Sequence, residues 1–187
     1  MNVYDFDKTI FYPDSSACFF RFCLRHYPAA VLASLPRSAV LALGYAAGRI
    51  PTKTLKQQLF SFLRRLPDVD RAVAEFWAEN EKRLGDWYLR QRRDDDLIVS
   101  ASPEFLLAPI CKKLNVRLLA TRMDRHSGRI DGENCHDEEK VRRFYAVYPG
   151  EKPEAFYSDS LSDSPMAAIS ETAFLVKKHR LAPWPIQ

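Results

Sequence analysis

Asp5 and Asp7 lie two residues apart in Asp5-Phe6-Asp7-Lys8-Thr9, directly after a short apolar run. In an extended backbone, side chains two apart project to the same side, so both carboxylates face one point at the end of a strand. Carboxylates so placed repel unless a cation or a shared proton compensates, which makes the pair costly as mere scaffolding. Such a pair can divide labour, one acid attacking as nucleophile while the other gives and takes a proton. Asp also caps helices and fills turns, so this pattern alone fits an ordinary turn as well.

Three further segments carry polar groups at element ends. An apolar run within residues 94–100 stops at the hydroxyl of Ser100. Ser102 and Pro103 read as an N-cap and a first helical position, so free backbone N–H groups would point outward around Ala101 and form either a phosphate seat or a plain strand-to-helix turn. In Asp159-Ser160-Leu161-Ser162-Asp163-Ser164-Pro165 the design recurs, with two carboxylates in the loop and Ser164-Pro165 opening a helix. Hard oxygens of this kind suit magnesium; calcium loops carry more oxygen ligands and a turn glycine. Lys140 falls in the first turn of a helix beginning near His136, where a cation is electrostatically unfavourable. It reads better as the counter-charge of a carboxylate and phosphate cluster than as a solvated surface lysine.

These residues must be positioned by an alternating framework. Strands are expected over residues 1–5, 94–100, 116–121, 155–159 and 173–176, and helices over 104–114, 137–147 and 165–170. Strand alternating with helix predicts a parallel sheet covered on both faces. Residues 14–93 break the rhythm, because they show helical patterning punctuated by Pro28, Pro36, Pro51 and Pro67. They are expected to form a helical cap inserted after the first strand, leaving residues 1–13 and 94–187 as the core, with 90–96 as the return linker.

The order Asp5-Phe6-Asp7-Lys8-Thr9, Ser100, Lys140, then Asp159 with Asp163 resembles the four motifs of the haloacid dehalogenase superfamily of phosphohydrolases. The likeness covers essentially the whole chain. The insertion after the first motif and the stretch Ile98 to Glu104 resemble its subfamily IB, which contains phosphoserine phosphatase and phosphatidylglycerophosphate phosphatases. The resemblance implies an α/β, three-layer Rossmann-like core and a magnesium-dependent phosphomonoesterase. Asp5 would attack phosphorus to form an aspartyl-phosphate, and Asp7 would serve as acid and base. Magnesium would be held by Asp5, the Asp7 carbonyl and Asp159, with Asp163 orienting its waters or binding it directly. Ser100 and Lys140 would hold the transferring oxygens, beside Ala101 and Ser102, with Thr9 and Phe6 as loop contributors. Asp14 occupies the place of a substrate-contacting Glu of phosphoserine phosphatases, a shortening by one carbon that argues against phosphoserine itself. The expected substrate is a small phosphorylated metabolite, with a lipid headgroup at a membrane surface as the alternative and a phosphotransferase or non-catalytic phosphate-binding module behind both.

Composition sets the outer bounds. The 187 residues, 47% hydrophobic and 28% charged, fit one globular domain or a domain with one insertion, and exclude a disordered tail, a disulfide mini-scaffold and a repeat array. The net charge of +4 hides an asymmetry, since residues 14–93 hold 14 basic and 7 acidic side chains. A cationic cap on a mildly acidic core points to anionic small molecules or lipid surfaces rather than nucleic acid. Cys18, Cys23, Cys111 and Cys135 form no CxxC pair, and no charged-then-apolar leader opens the chain, so reduced thiols and a cytoplasmic location are expected. Pro36 and Arg37 divide the apolar stretch 29–48, which argues against a membrane span and leaves either buried cap helices or a lipid-facing surface bearing Phe19, Phe20, Phe22 and Leu24.

Overall fold

Val3 and Tyr4 leave the first strand on opposite faces, and this period-two alternation organises the whole sheet. The computed structural model describes residues 1–178 and 180–185. Six strands, β1 (Asn2–Tyr4), β2 (Leu97–Pro103), β3 (Arg117–Thr121), β4 (Ala155–Ser158), β5 (Thr172–Lys177) and β6 (Arg180–Pro183), form one sheet. The spatial order is β3-β2-β1-β4-β5-β6. All neighbours pair in parallel except β5 and β6.

Val3, Leu97, Val99 and Phe156 point to one face and bury against Phe144 and Met166, which belong to α8 (Glu138–Val147) and α9 (Ser164–Ile169). On the other face Tyr4, Ile98 and Tyr157 meet Leu106, Leu107 and Ile110 of α7 (Glu104–Lys113). This is the α/β three-layer arrangement expected of alternating strand and helix, with one antiparallel edge added by the tail. Trp184 extends that edge to pack on Phe156, ring centroids 6.0 Å apart; His179, Ile186 and Gln187 lie outside the described residues.

Between β1 and β2 the chain is helical: α1 (Ser15–His26), α2 (Pro28–Leu32), α3 (Leu35–Ala46), α4 (Thr52–Leu59), a 3-10 segment (Phe60–Arg65), α5 (Val69–Asn80) and α6 (Asp86–Gln91). The prolines act where their missing N–H costs least, with Pro28 and Pro36 in the first turns of α2 and α3 and Pro51 at the N-cap of α4. Asp14 and Asp68 cap α1 and α5 by accepting from Ala17 N at 2.8 Å and Arg71 N at 2.9 Å.

One expectation is revised. Asp86–Gln91, assigned by the sequence to the cap, packs on the sheet: the rings of Tyr4 and Tyr88 meet edge to face at 4.9 Å. Of the two readings of the cap, the buried one holds for Phe19 and Phe22, which join Phe62, Phe76 and Trp77 in an aromatic core continuous with Phe6 and Phe11 of the motif loop. The exposed apolar surface lies instead on α3, where only Ser38 is buried and Val40 and Leu43 are 67% and 74% exposed. Among the described residues no helix is long and apolar enough to cross a membrane. All four cysteines are free and buried, and burial pushes the Cys23 and Cys111 thiols up to about 12, so they serve as packing groups.

Phe19 is fully buried and touches the rings of Phe22, Phe62, Phe76 and Phe105. Phe19→Ala is therefore expected to cost about 3–5 kcal/mol in urea denaturation. Val40→Ala should stay within about 0.5 kcal/mol.

Candidate active site

The chain runs from β1 to β2 on one side of it and later returns to β4 on the other, so the carboxyl end of β1 lies where the strand order reverses. In open parallel sheets that reversal opens a crevice for ligands. Asp5 leaves β1 at this point. Lys8 then takes a left-handed conformation, φ 58°, and turns the chain back so that its N–H donates to the Phe11 carbonyl at 2.7 Å. A non-glycine residue in that region carries local strain of the kind that functional loops hold.

Three distant segments close on one ammonium group. Lys140 Nζ donates to Asp5 Oδ1 at 2.6 Å and to Asp163 Oδ2 at 2.8 Å, while Ser158 Oγ donates to the same Asp163 oxygen at 2.6 Å. Only 2% of Lys140 is exposed. Burial by itself drives this lysine toward neutrality, and the Asp5 and Asp163 carboxylates more than reverse the effect, leaving its pKa above the ordinary lysine range. Burial raises Asp5 to about 7 against the pull of Lys140, with Asp163 and Asp7 adding repulsion. Thr9 ties this group to the fourth motif: its hydroxyl lies 3.4 Å from Asp5 Oδ2 and accepts from Asp159 N at 3.0 Å.

Asp7 is held separately. Ser15 N donates to its Oδ1 at 2.6 Å and Ser102 Oγ donates to its Oδ2. Burial and the charge of Asp14 lift its pKa to about 6, the two serines opposing. A carboxyl poised there can lose and regain a proton near neutral pH, as a general acid and base must.

The remaining expected residues divide. Ser100 is buried beside Asp5, its Oγ accepting from Ser102 N at 3.1 Å. Ala101 presents its carbonyl to Thr121 Oγ1 at 2.6 Å. Ser102 is not a helix cap, because β2 runs on to Pro103, which itself holds the N-cap position of α7; the Ser102 hydroxyl instead orients Asp7. Asp14 lines the cavity but gives Oδ1 to the cap of α1. Asp163 sits at the N-cap position of α9 without a side-chain cap bond, its carboxylate turned to Lys140 and Ser158.

Sequence reasoning missed Lys56. From α4 its Nζ reaches the Ala101 carbonyl and, at 2.9 Å, Asn134 Oδ1. No motif signals it, because only the folding of the cap over the sheet brings residue 56 beside residue 101. Ser15, which holds Asp7 through a backbone N–H, is equally silent in sequence.

Asp5, Asp7, Asp14, Asp159 and Asp163 share a cavity of about 240 Å³ with Lys8 and Lys140. Among the described residues no three His, Cys, Asp or Glu side chains gather as a ready-made metal cluster, and the Asp163 carboxylate is turned to Lys140; the serines engage the side chain of Asp7, whose expected ligand is its backbone carbonyl. The donor chemistry still fits magnesium, which takes only one or two protein carboxylates and keeps its waters. Asp159 is raised by burial and by Asp163, and five carboxylates face two lysines. Such an excess of negative charge suits a hard divalent cation. A second cavity, about 460 Å³, adjoins Asp7 and is lined by Phe20, Tyr45, Leu55, Leu59 and Phe60, with Asp14, Arg21 and Lys56 as its charged groups.

The sequence profile of the haloacid dehalogenase-like hydrolases matches residues 3–168. Protein CicA of Caulobacter vibrioides is 29% identical over 182 residues, covering 90% of this chain and 82% of that protein. Among solved structures, a Bordetella pertussis Tohama I protein of unknown function superposes with TM-score 0.76 at 24% identity, covering 92% of this chain and 87% of its own. A phosphoserine phosphohydrolase-like protein of Francisella tularensis superposes with TM-score 0.61 at 15% identity, covering 96% and 88%. Likeness at such low identities is a likeness of fold.

Burial lowers Lys56 from 10.5 to about 8, with Asp7 and Asp14 opposing. Between those values the unfolded chain binds the extra proton, so stability is gained as pH rises from 8 to 10.5. With divalent cations chelated, wild type should gain on the order of 2 kcal/mol over Lys56→Met across this window, less than the full linkage value because the side chain keeps some contact with water. Parallel stability curves for the two proteins would refute the assignment.

Proposed function

Because this chain belongs to the haloacid dehalogenase-like hydrolase family, we propose that it hydrolyses phosphomonoesters, using magnesium and an aspartyl-phosphate formed on Asp5. The observation that carries the reading is the buried Lys140 bridge between Asp5 and Asp163. It holds a buried acid at the carboxyl end of β1, in the same cavity as a second, independently tethered acid.

Asp5 attacks phosphorus in line with the ester oxygen, and the bond to that oxygen breaks as Asp7 delivers its proton to the departing alkoxide. A water then enters, Asp7 takes its proton, and the hydroxide displaces Asp5 to release inorganic phosphate. Asp5, the Asp7 carbonyl and Asp159 would hold the magnesium ion, whose chemistry there is to neutralise charge so that one anion can approach another. Ser100 and Lys140 orient the transferring oxygens. Since phosphoryl transfer depends chiefly on positioning and charge stabilisation, their contribution is large.

Two substrate classes share this chemistry. A small phosphorylated metabolite would be drawn in by the cationic cap. The alternative, a lipid headgroup phosphate such as that of phosphatidylglycerophosphate, is favoured by a specific observation: the cavity beside Asp7 is walled by Phe20, Tyr45, Leu55, Leu59 and Phe60. Asp14, Arg21 and Lys56 also line it, Asp14 being engaged by the α1 cap. The exposed apolar residues of α3 support the same choice.

Asp5→Asn is expected to lower turnover of an aryl phosphate by at least about a thousandfold while the circular dichroism spectrum stays unchanged. Near-normal magnesium-dependent activity in that variant would exclude Asp5 as nucleophile. Asp7→Asn should penalise leaving groups of high pKa most, and uniform loss across good and poor leaving groups would remove its acid role. Phosphate release from phosphatidylglycerophosphate in mixed micelles should exceed release from soluble phosphate esters; the reverse order would return the choice to a soluble metabolite.

A further inference from the structure

The helix α4 separates two cavities. Leu55, Lys56 and Leu59 face the catalytic side. Thr54, Gln57 and Gln58 face a different cavity of about 590 Å³, whose rim carries Arg37, Arg64, Arg65 and Arg129 with no Asp or Glu in its lining. The four arginines come from three places: α3, the 3-10 segment after α4, and the loop between β3 and α8. Two arginines elsewhere in and around the cap are paired, Arg25 with Glu79 at 2.7 Å and Arg125 with Asp70 at 2.7 Å. Among the described residues, the four facing this cavity have no ion pair or side-chain hydrogen bond.

The cavity is built into the joint between cap and core. Gly128 has φ +73, and a Cβ there would lie 2.5 Å from the Phe60 carbonyl oxygen, so only glycine lets the loop bearing Ser127 and Arg129 press so closely against the 3-10 segment. Gln57 Oε1 accepts from Ile130 N at 2.8 Å and pins the same loop to α4. Four unpaired guanidinium groups brought together in this way repel one another, and a phosphate-bearing anion would relieve that repulsion through charge-assisted, bidentate hydrogen bonds.

We propose that this arginine-rimmed cavity is a second anion site, distinct from the catalytic crevice, for a ligand carrying at least two phosphate charges, supplied either by a soluble polyphosphate or by anionic phospholipid headgroups. The site stands apart from the hydrolytic reading, because its arginines line neither catalytic cavity.

Inorganic pyrophosphate, titrated calorimetrically with divalent cations chelated, and vesicles of phosphatidylglycerol mixed with phosphatidylcholine, tested by co-sedimentation, distinguish the two sources. Arg64→Gln/Arg65→Gln should weaken at least one of these interactions by about tenfold or more, since charge-assisted hydrogen bonds to the anion are lost. Arg37→Gln/Arg129→Gln, which alters different segments, should do the same, while Ser100→Ala binds as wild type. Loss of pyrophosphate binding identifies a soluble ligand; loss of vesicle binding alone identifies headgroups. Absence of binding to both probes, or binding that survives in both correctly folded double variants, overturns the proposal. Hydrolysis of an aryl phosphate, measured in parallel, fails or persists independently of this result.

Discussion

A buried ammonium group between two carboxylates constrains everything near the catalytic crevice. Lys140 is almost wholly excluded from water, and a charge in that position is tolerable only when partners at hydrogen-bond distance replace the lost solvent. Its partners come from the end of β1 and from the loop after β4, while Lys140 itself stands at the start of α8. The three elements are therefore locked to one another by charge as well as by packing. Removing the lysine would leave two buried acids facing each other, so the bridge holds the site together and lowers the pKa of Asp5 against its burial.

A second constraint is the continuity between sheet and cap. Phe6 and Phe11, within and just after the acidic motif, share one aromatic core with Phe19, Phe76 and Trp77 of the cap, and Trp77 Nε1 donates to the Leu106 carbonyl at 2.6 Å. The inserted helices thus grip the motif loop directly. Polar ties reinforce the joint at Lys56 with Ala101 and at Gln57 with Ile130. α4 therefore works as a wall, apolar toward the catalytic side and polar toward the arginine-rimmed cavity.

The sequence was legible wherever local rules operate. Short apolar runs marked the strands because a parallel strand covered on both faces buries successive side chains, and the prolines punctuated the cap because each lacks a backbone donor. Lys140 was recognisable because a cation in the first turn of a helix opposes the helix dipole and calls for an acidic partner. Ser102 was misread for the opposite reason: a Ser-Pro pair is a good local helix start, yet pairing with β3 carried the strand through Pro103. The aromatic residues of α1 were amphipathic in either setting, and only the presence of Phe62 and Phe76 opposite them decided that they face inward.

What the chain determines on its own is the alternation of strand and helix, the inserted helical segment and the order of the acidic, hydroxyl and lysine motifs, since these follow from spacing and side-chain chemistry within a few residues. Tertiary structure alone decided that Asp7 is held by Ser15 and Ser102, that Lys56 reaches Ala101, that α6 lies on the sheet and that four arginines from separate segments ring one cavity. Those contacts join residues tens of positions apart, and no local preference specifies a partner whose position depends on how the whole cap closes over the sheet.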